Sequence, residues 1–487
     1  MNDRSSTIFG NPVPPAVVRK AERAKAGYVR KYGDDSGIAY PLVAVPNPSL
    51  EPDIGLMDVL VGRDGRALDP ATGLAIGTIR MGFGHYRAAL AVASAARSRG
   101  RIPYLFDLLS FRETTGAKVI GHLNELYSMG SRLSQRFPLF DKLFWDPLNS
   151  EGFKKLSQNA SDQKVAELMA PVCRGLPDGL PFVSTHPWPA QAALHAGRRG
   201  VVNMVLDNWP MALHLAEGAL HLVQGPSSWA GYRVLREFGG ADTALSMMPP
   251  GSVALAGHFV DHEIVSNIEA DCGRRLGRMK AGKPRRLLLS VGGAGAQRAI
   301  FASILRDVMP DVEAGKVAVF VNVGDHRAVW DGLVADVRGL AELSTLHFDD
   351  WPATRAFCGA ALDGDVTGVH AFYHADIFAA VYASNLLMRA CDVLATKPSE
   401  FSFYPVPKLF IRRVGGHEAW GAIRSAELGD GTFECGNDAL VGQALDLFLR
   451  DDELLPMMCS AIVRNKAAGV YDGAYRAADL AVARAGG

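Results

Sequence analysis

The chain has 487 residues, of which 48% are hydrophobic and 21% are charged, the balance of an ordinary globular protein. Its 51 basic and 51 acidic side chains give a formal net charge of zero, so no nucleic-acid partner is expected and the overall charge offers no argument for a membrane surface. A chain of this length exceeds the size at which one hydrophobic core keeps growing. At least two domains are therefore expected.

The six cysteines are isolated in the sequence and form no C-x-x-C pair. This spacing argues against a zinc cluster or a disulfide framework and is typical of a reducing compartment. No run of about 18 uncharged apolar residues predicts a transmembrane helix. The first residues, MNDRSSTIFGNPVPP, lack the apolar stretch of a signal peptide, so a cytoplasmic location is expected.

Residues 1–72 are predicted to form an N-terminal extension, because proline and glycine interrupt them repeatedly. The segment AVVRKAERAKAGYVRKYG inside this extension is a helix candidate with six basic side chains and one glutamate. Two interpretations remain open for it. It is either a solvated surface helix or a helix that rests on anionic lipid at the inner membrane face.

From residue 73 onward, short apolar runs alternate with helical segments. In the first predicted domain, residues 73–270, the strands are GLAIGTIR, IPYLFDLL, LPFVSTH and VVNMVLD. A polar stretch around residues 270–286 is predicted to be the linker between domains. The alternation restarts in residues 284–455 with RLLLSVGG, KVAVFVNVGD, LSTLHFDD, DVLATKP and KLFIRRVGG, and residues 456–487 are predicted to be a helical tail.

Apolar runs bounded by turns and separated by helices indicate parallel sheets that are covered on both faces. The predicted fold class is therefore α/β, with two Rossmann-like doubly wound domains that face each other across a cleft. In such folds the ligand binds at the carboxyl ends of the strands, and the cleft is the expected site.

Each predicted domain begins with a strand, a glycine turn and a helix. The glycines of these turns, and the histidine that follows the first, are Gly82, Gly84, His85, Gly292, Gly293 and Gly295. Such turns let backbone N–H groups approach phosphate oxygens, which predicts a nucleotide or a diphosphate in the cleft; a plain tight turn remains the alternative at the first loop. Arg87 stands where the dinucleotide fingerprint needs a small residue, which argues against a nicotinamide enzyme.

Four segments then occur in a characteristic order: IRMGFGHYRAALAVA, LYSMGSRLSQRFPLFDKLFW, the pair FVSTHPWPAQAAL and VVNMVLDNWP, and VALAGHFVDHEI. Over residues 73 to 450 this order resembles the GT-B glycosyltransferases, in the branch of monogalactosyldiacylglycerol synthase, processive diacylglycerol glucosyltransferase and the peptidoglycan GlcNAc transferase. The resemblance implies transfer of a sugar from a nucleotide diphosphate sugar, UDP-linked, to an acceptor hydroxyl. It brings lipids among the candidate acceptors, and it implies no cofactor and no metal.

The resemblance also implies roles for particular residues. His85 takes the place of a histidine near the acceptor hydroxyl, as a base or as part of that subsite. Glu400, seven residues before Pro407, takes the place of the acid that binds the nucleotide ribose. The 292–295 loop, Lys397 and Ser399 take the place of the residues that bind the diphosphate. The remaining positions are His417 and Glu418 near the donor sugar, and Gly82, Gly84, His186 and Asp207 on the acceptor side.

Two departures from the family pattern leave alternatives open. Met81 stands where relatives carry glycine or serine, and Gly421 replaces an expected asparagine. One alternative is another enzyme on the same fold, a nucleotide-sugar epimerase or hydrolase. The other is a non-catalytic nucleotide- or sugar-binding protein that keeps the fold.

Other histidines are candidates for metal binding or for structural roles. His370 and His374 lie four residues apart, and on a helix their rings would share a face, which is metal-compatible spacing. No glutamate completes an H-E-x-x-H motif, so surface or acceptor-lining roles are the alternative. His258 falls at the domain junction, where a hinge or structural role is favoured over catalysis.

Overall fold

The structure, a computed structural model, describes residues 3–80, 82–136, 152–292 and 297–486. Its strands are β1 (Thr7–Ile8), β2 (Asn11–Pro12), β3 (Leu42–Pro46), β4 (Met57–Val61), β5 (Gly73–Thr78), β6 (Ile102–Asp107), β7 (Phe182–Ser184), β8 (Val202–Met204), β9 (Leu220–Val223), β10 (Val253–Leu255), β11 (Arg285–Ser290), β12 (Val317–Asn322), β13 (Ser344–Phe348), β14 (Gly368–Tyr373), β15 (Val393–Thr396), β16 (Lys408–Ile411) and β17 (Gly431–Cys435). β1 and β2 form an antiparallel pair, and the others form two large sheets.

Helices alternate with these strands. In the described part of the chain the longer helices are Pro15–Tyr32, Phe83–Ser98, Thr115–Arg136, Leu156–Ala166, Pro187–His195, Pro226–Arg233, Ile268–Lys280, Arg298–Glu313, Arg327–Asp336, Trp351–Asp363, Ile377–Ala390, Ala419–Leu428, Asp438–Leu449, Leu454–Ala467 and Gly473–Ala485. Short helices are Glu51–Ile54, Ala170–Cys173 and His262–Val265, and 3-10 turns are Leu108–Ser110, Ala212–His214, Glu400–Phe403 and Gly416–Glu418. None of the helices in the described ranges is long and apolar enough to cross a membrane.

The first sheet has eight strands in the order β10-β9-β8-β7-β5-β6-β4-β3. All neighbouring pairs are parallel except β3 with β4. Every residue of the central strand β5 is buried, because helices pack on both faces of the sheet. A strand buried on both faces reads as a continuous apolar run, which is why GLAIGT is recognisable in the sequence.

The second sheet has seven parallel strands in the order β13-β14-β12-β11-β15-β16-β17. Two separate apolar clusters cover its faces. One packs beneath the helices Arg298–Glu313 and Asp438–Leu449, and the other beneath Ile268–Lys280 and Ile377–Ala390. The predicted fold class, α/β with two Rossmann-like doubly wound domains, is confirmed.

Part of the predicted extension belongs to the first sheet. Strands β3 and β4 lie within residues 1–72, yet they form the edge of that sheet next to β6. The basic helix candidate is a helix, Pro15–Tyr32, whose Val18 and Ala21 are buried. On the same face, one turn after Ala21, Lys25 forms an ion pair with Glu167. The helix is therefore packed against the first domain along one face.

The predicted linker around residues 270–286 is largely the helix Ile268–Lys280. Arg275 of this helix is buried and donates hydrogen bonds to the carbonyl oxygens of Met388 and Cys391, so the helix is part of the second domain. The chain crosses between domains at residues 256–261 instead. The linker was misplaced because a polar stretch was expected to be exposed. Arginines such as Arg275 make the stretch polar, yet they are buried.

The chain crosses a second time near its end. The helix Leu454–Ala467 packs on the second domain, whereas Gly473–Ala485 packs on the first sheet through Ala474, Ala477, Ala478 and Ala481. The two crossings are hydrogen bonded to each other, since His258 N–H donates to the Val470 carbonyl (2.6 Å) and Gly473 N–H to the His258 carbonyl (2.9 Å). The predicted tail, residues 456–487, therefore serves both domains.

Candidate functional site

The strand order of each sheet reverses at one place, and such a switch point leaves a crevice at the carboxyl ends of the strands. In the first sheet the reversal lies at β5, between β6 and β7. In the second it lies at β11, between β12 and β15. The loops after β5 and β7 carry His85 and His186, and the segments after β11 and β15 carry Gly292 and Lys397. The predicted site residues thus fall at both switch points.

The first loop places His85 in the opening turn of the helix Phe83–Ser98. Gly82, just before this helix, has φ of 97°, a conformation that glycine adopts without steric cost. The His85 Nδ1 atom lies 2.7 Å from the carbonyl oxygen of Thr185. Because a carbonyl oxygen only accepts, Nδ1 carries the proton in the neutral ring, and Nε2 presents a lone pair. Met81 lies outside the described residues.

His186 faces His85 and supports it. The two rings are 4.7 Å apart and edge to face. His186 Nδ1 accepts a hydrogen bond from the Trp188 N–H and so caps the helix Pro187–His195. Burial, with the neighbouring His85 and His214, holds the pKa of His186 well below its ordinary value. His186 is therefore a neutral, positioning neighbour of His85.

Asp207 follows β8 on the same edge of the sheet. Its carboxylate lies 3.3 Å from His214 Nε2, and His214 Nδ1 lies 2.6 Å from the Tyr232 hydroxyl. The negative charge of Asp207 raises the pKa of both His85 in the first domain and Lys397 in the second. The acceptor-side role of Asp207 stays a prediction.

In the second domain Lys397 lies against the glycine loop. A Cβ atom added to Gly292 would lie 3.2 Å from Lys397 Cε, so the loop backbone and the lysine are in direct contact. The ammonium forms an ion pair with Glu418, whose other oxygen accepts the Val414 N–H (2.8 Å). Burial lowers the pKa of Lys397, but Glu418 and Glu400 more than offset this and raise it. Lys397 is therefore charged at neutral pH.

Four predicted donor-side positions are placed less completely. Gly293 and Gly295 lie outside the described residues. The backbone of His417 lies in the 3-10 turn Gly416–Glu418, and its side chain lies outside the described part of the structure. Ser399 directly precedes the 3-10 turn Glu400–Phe403. Glu418 was predicted near the donor sugar, and in the structure its carboxylate is held by Lys397 and by loop N–H groups.

Glu400 of the second domain is in contact with the first glycine loop. A Cβ atom added to Gly84 would lie 3.8 Å from Glu400 Cβ, an ordinary van der Waals distance. Burial by itself raises the pKa of Glu400, but the cations of Lys397 and Arg87 outweigh it and hold the pKa below its ordinary value. An ionised carboxylate therefore lies beside the loop of His85.

The pKa of His85 reflects this convergence. Burial lowers the pKa below its usual value, and the Thr185 carbonyl, Asp207 and Glu400 only partly offset that effect. The imidazole is consequently neutral at physiological pH. A neutral histidine with an available Nε2 is the protonation state that accepts a proton.

Arg87 is a residue of the junction that sequence reasoning missed. It is buried in the first-domain helix Phe83–Ser98, yet its guanidinium donates to Asn385 Oδ1 (2.9 Å) in the second domain and stacks 4.1 Å from the Phe401 ring. In the sequence it served only to argue against a dinucleotide motif. An arginine in the first turns of an alanine-rich buried helix was the available signal, because a buried arginine needs a partner.

Further contacts close one flank of the junction. Arg80 forms an ion pair with Asp325 (2.6 Å), and the Phe83 ring lies against Gly324, where a Cβ atom would come within 2.7 Å of it. Gly421 is also explained by close approach. A Cβ atom there would lie 2.8 Å from Ser402 Oγ and 3.0 Å from the Pro398 carbonyl, so an asparagine does not fit.

The structure places His370 and His374 apart from each other. His370 lies on strand β14, so the shared helix face that the spacing required does not exist. His370 contacts His347 on the neighbouring strand, while His374 contacts the Thr354 hydroxyl. Within the described residues no group of three or more His, Cys, Asp or Glu side chains is placed to hold a metal ion. His258 is buried at the domain crossing, as predicted for a structural role.

Comparison with protein families gives two matches. Residues 7–234 match a family described as a domain of unknown function, DUF6937, and residues 248–482 match a second, described as a domain of unknown function, DUF6938. No curated protein matches the chain in sequence.

The solved structures to which the chain is similar include the following three. One is the S. aureus MnaA–UDP complex, at 13% identity and a TM-score of 0.43, covering 83% of this chain and 94% of that chain. A second is the UDP-GlcNAc 2-epimerase from Neisseria meningitidis bound to UDP-GlcNAc, at 10% identity and a TM-score of 0.42, covering 84% of this chain and 97% of that chain. A third is the α,α-trehalose-phosphate synthase (UDP-forming) from Burkholderia vietnamiensis, at 13% identity and a TM-score of 0.38, covering 66% of this chain and 76% of that chain. The narrower resemblance to the monogalactosyldiacylglycerol synthase branch stays a prediction.

Proposed function

We propose that the protein is a glycosyltransferase that moves a sugar from a nucleotide diphosphate sugar, UDP-linked, to an acceptor hydroxyl. One observation carries the proposal: the switch points of the two sheets meet, and Asp207 and Glu400 each act on the pKa of both His85 and Lys397. A ligand held by the second domain would therefore present its reacting end to the histidine of the first.

The second domain supplies what a nucleotide diphosphate needs. Lys397 is a cation that offsets phosphate charge, and the helix Arg298–Glu313 begins directly after the glycine loop, with its positive dipole end toward the site. The ionised carboxylate of Glu400 is suited to accept hydrogen bonds from the two ribose hydroxyls. These groups stabilise a leaving diphosphate without a divalent metal, so we propose a metal-independent reaction.

The first domain supplies the base. His85 Nε2 would take the proton of the acceptor hydroxyl while the oxygen attacks the sugar carbon and the bond to the diphosphate breaks. Thr185 holds the ring by its Nδ1, and His186 packs against it. The resemblance connects a lipid acceptor with the aromatic segment 126–145. Much of this segment lies outside the described residues, so no contact described here supports a lipid acceptor.

Donor binding is the first test. We expect UDP to raise the melting temperature of the wild type, because a ligand at a hundredfold excess over its Kd adds about 2.7 kcal/mol of stability. Glu400→Gln is expected to weaken UDP binding by about 10- to 100-fold, the loss of a charged hydrogen bond acceptor of about 1.5–3 kcal/mol. Thermal shift over a UDP titration, with and without EDTA, measures this.

Glu342→Gln is the matched control, because Glu342 is an exposed glutamate away from the junction. It should leave the UDP titration unchanged. If no nucleotide shifts the wild type, the transferase proposal is wrong. Binding that depends on a divalent metal and disappears in EDTA would contradict the metal-independent reaction.

The pH dependence tests the base. A histidine that must be neutral gives a rate that falls as pH drops through its pKa, and the pKa of His85 is lowered from its ordinary value near 6.5. We therefore expect kcat/KM for transfer to stay level from pH 8 down through pH 6.5, with its acid limb below that value. Initial rates across buffers measure the limb, and a midpoint above pH 6.5 would argue against His85 as the base.

A further inference from the structure

The helix that carries His85 reaches into the second domain through a buried arginine. Arg87 lies two residues after His85 and is 2% exposed. Its Nη1 atom donates to the Asn385 Oδ1 atom (2.9 Å) and to the Val381 carbonyl oxygen (3.3 Å), and both belong to the helix Ile377–Ala390. Arginine is seldom buried, and these partners of Arg87 lie across the domain boundary. Its position therefore depends on how the two domains are docked.

The same guanidinium lies against the turn that carries Glu400. The Arg87 Cζ atom is 4.1 Å from the centre of the Phe401 ring, and Phe401 is the residue directly after Glu400. This contact is a cation–π interaction, which suits arginine in particular because its planar group stacks on the ring. A single side chain of the first domain therefore fixes the turn of the proposed ribose-binding acid against the helix of the proposed base.

Arg87 also supplies positive charge to Glu400. Its hydrogen bonds to the second domain go to an amide oxygen and a carbonyl oxygen, which are uncharged and do not neutralise it. Together with Lys397, it holds the pKa of Glu400 below its ordinary value, although burial by itself raises that pKa. The ammonium of Lys397 is already paired with Glu418, and it is the group proposed to meet the diphosphate. The charge of Arg87 is not shared in this way.

We infer that Arg87 is a positioning residue of the proposed reaction, which fixes the carboxylate of Glu400 beside the helix of His85 for the donor ribose. The inference rests on the proposed transferase function. Arg87 is too buried to touch a substrate, so it acts through Glu400. Without Arg87 the pKa of Glu400 rises, and protons then compete with the ribose hydroxyls for the carboxylate at a higher pH.

Other groups near Arg87 and Glu400 also titrate. Burial raises the pKa of Asp261 to about 7, and Arg87 opposes that rise. His85 faces Glu400 from the first domain, and burial lowers its pKa. The terminal phosphate of UDP loses its second proton at about pH 6. The further charged groups on the surrounding elements are Lys397, Glu418, Asp207 and Glu263. The experiment must therefore isolate the titration of Glu400.

The pH dependence of UDP binding tests the inference, measured by isothermal titration calorimetry from pH 8 to pH 5. The quantity is the Kd of a variant divided by the Kd of the wild type, in which the titration of UDP itself cancels. For Arg87→Met we expect this ratio to rise about threefold or more toward pH 5, because a protonated Glu400 accepts fewer hydrogen bonds from the ribose. Arg87→Lys keeps the charge, so its ratio should rise less.

Two controls accompany this measurement. Arg275 is also a buried arginine, and it donates to the carbonyl oxygens of Met388 and Cys391. The ratio for Arg275→Met should not change with pH, because this side chain does not act on Glu400. Arg87→Met combined with Glu400→Gln is compared with Glu400→Gln alone. That ratio should also stay level, since no carboxylate remains there to titrate.

Asn385→Ala covers the case in which Arg87→Met does not fold. Alanine is a good helix former, and the Asn385 Nδ2 atom has no hydrogen bond partner among the described residues. The variant therefore removes the contact that orients Arg87 and keeps the charge nearby. Its ratio should rise in the same direction, by about twofold or more toward pH 5.

Other results overturn the inference. A smaller rise in Arg87→Met, or in Asn385→Ala where that variant stands in for it, would show that Arg87 does not act through Glu400. An equal rise in Arg87→Lys would show that the charge is not the cause. A rise in Arg275→Met would mean that loss of any buried arginine has this effect. A rise that persists with Glu400→Gln would assign the titration to another group.

Failure of the proposed function is distinguishable from these outcomes. It appears as a wild type that binds UDP at no pH, and the role of Arg87 then falls with it. Wild-type binding together with a ratio for Arg87→Met that does not change with pH removes only the role of Arg87.

Discussion

His85→Ala is expected to lower kcat/KM for sugar transfer by about 10²- to 10⁴-fold, the usual contribution of a positioned general base. The Thr185 carbonyl accepts a hydrogen bond from His85 Nδ1 and so orients the ring at the junction. The substitution removes this imidazole. Donor binding should persist, because Gly292, Lys397 and Glu400 are untouched. Steady-state rates with saturating donor, alongside the UDP thermal shift, separate the two effects.

His122→Ala is the matched control for this experiment. His122 packs against Tyr28 and Tyr32 of the helix Pro15–Tyr32, so its loss should leave the rate unchanged. Near wild-type transfer by His85→Ala would show that the histidine is not the base. Consumption of the nucleotide sugar without any acceptor, lost in His85→Ala, would instead favour the epimerase or hydrolase alternative.

Lys408→Met is expected to destabilise the protein by about 3–5 kcal/mol, the cost of removing one partner of a buried ion pair. Lys408 and Asp430 have no exposed side-chain surface and lie 2.8 Å apart. The carboxylate also accepts from the hydroxyls of Ser425 and Tyr471, so it cannot turn away to water. Equilibrium unfolding in urea measures the loss.

A surface pair of the same chemistry provides the comparison. Lys283 and Asp365 lie 2.6 Å apart, but their side chains are 44% and 70% exposed. Lys283→Met should cost only about 0–1 kcal/mol. Equal losses in the two variants would show that the buried carboxylate finds another partner. The double variant Lys408→Met with Asp430→Asn should recover part of the stability, since no uncompensated charge remains.

The fold was predictable because its information is local. Each buried parallel strand is a short apolar run, and glycine follows β5 and β11 within a few residues, so both strands and the positions of His85 and Gly292 follow from the sequence. Strands β3 and β4 were missed because LVAVP and MDVLV are separated by proline and glycine and pair as a sheet edge. Pairing across a sheet leaves little trace in a single segment.

The site was predictable in its members but not in its contacts. His85, Asp207, Lys397 and Glu400 do converge, and their chemical roles stay predictions. The ion pair of Lys397 with Glu418 and the reach of Arg87 to Asn385 join residues that are far apart in the chain. The helical reading of His370 and His374 was wrong because spacing alone does not distinguish a helix from a strand.

The last helix, Gly473–Ala485, also determines when the first domain can be complete. Its alanines fill part of the core beside Leu90 and Ala93, and they leave the ribosome after the strands of both sheets. A nascent chain that stops short of residue 473 exposes this groove, although all strands of the first sheet have been synthesised. Domains usually fold in the order in which they emerge. Here the amino-terminal domain must wait for residues 473–485, and a chain truncated before them loses stability in the half that it left intact.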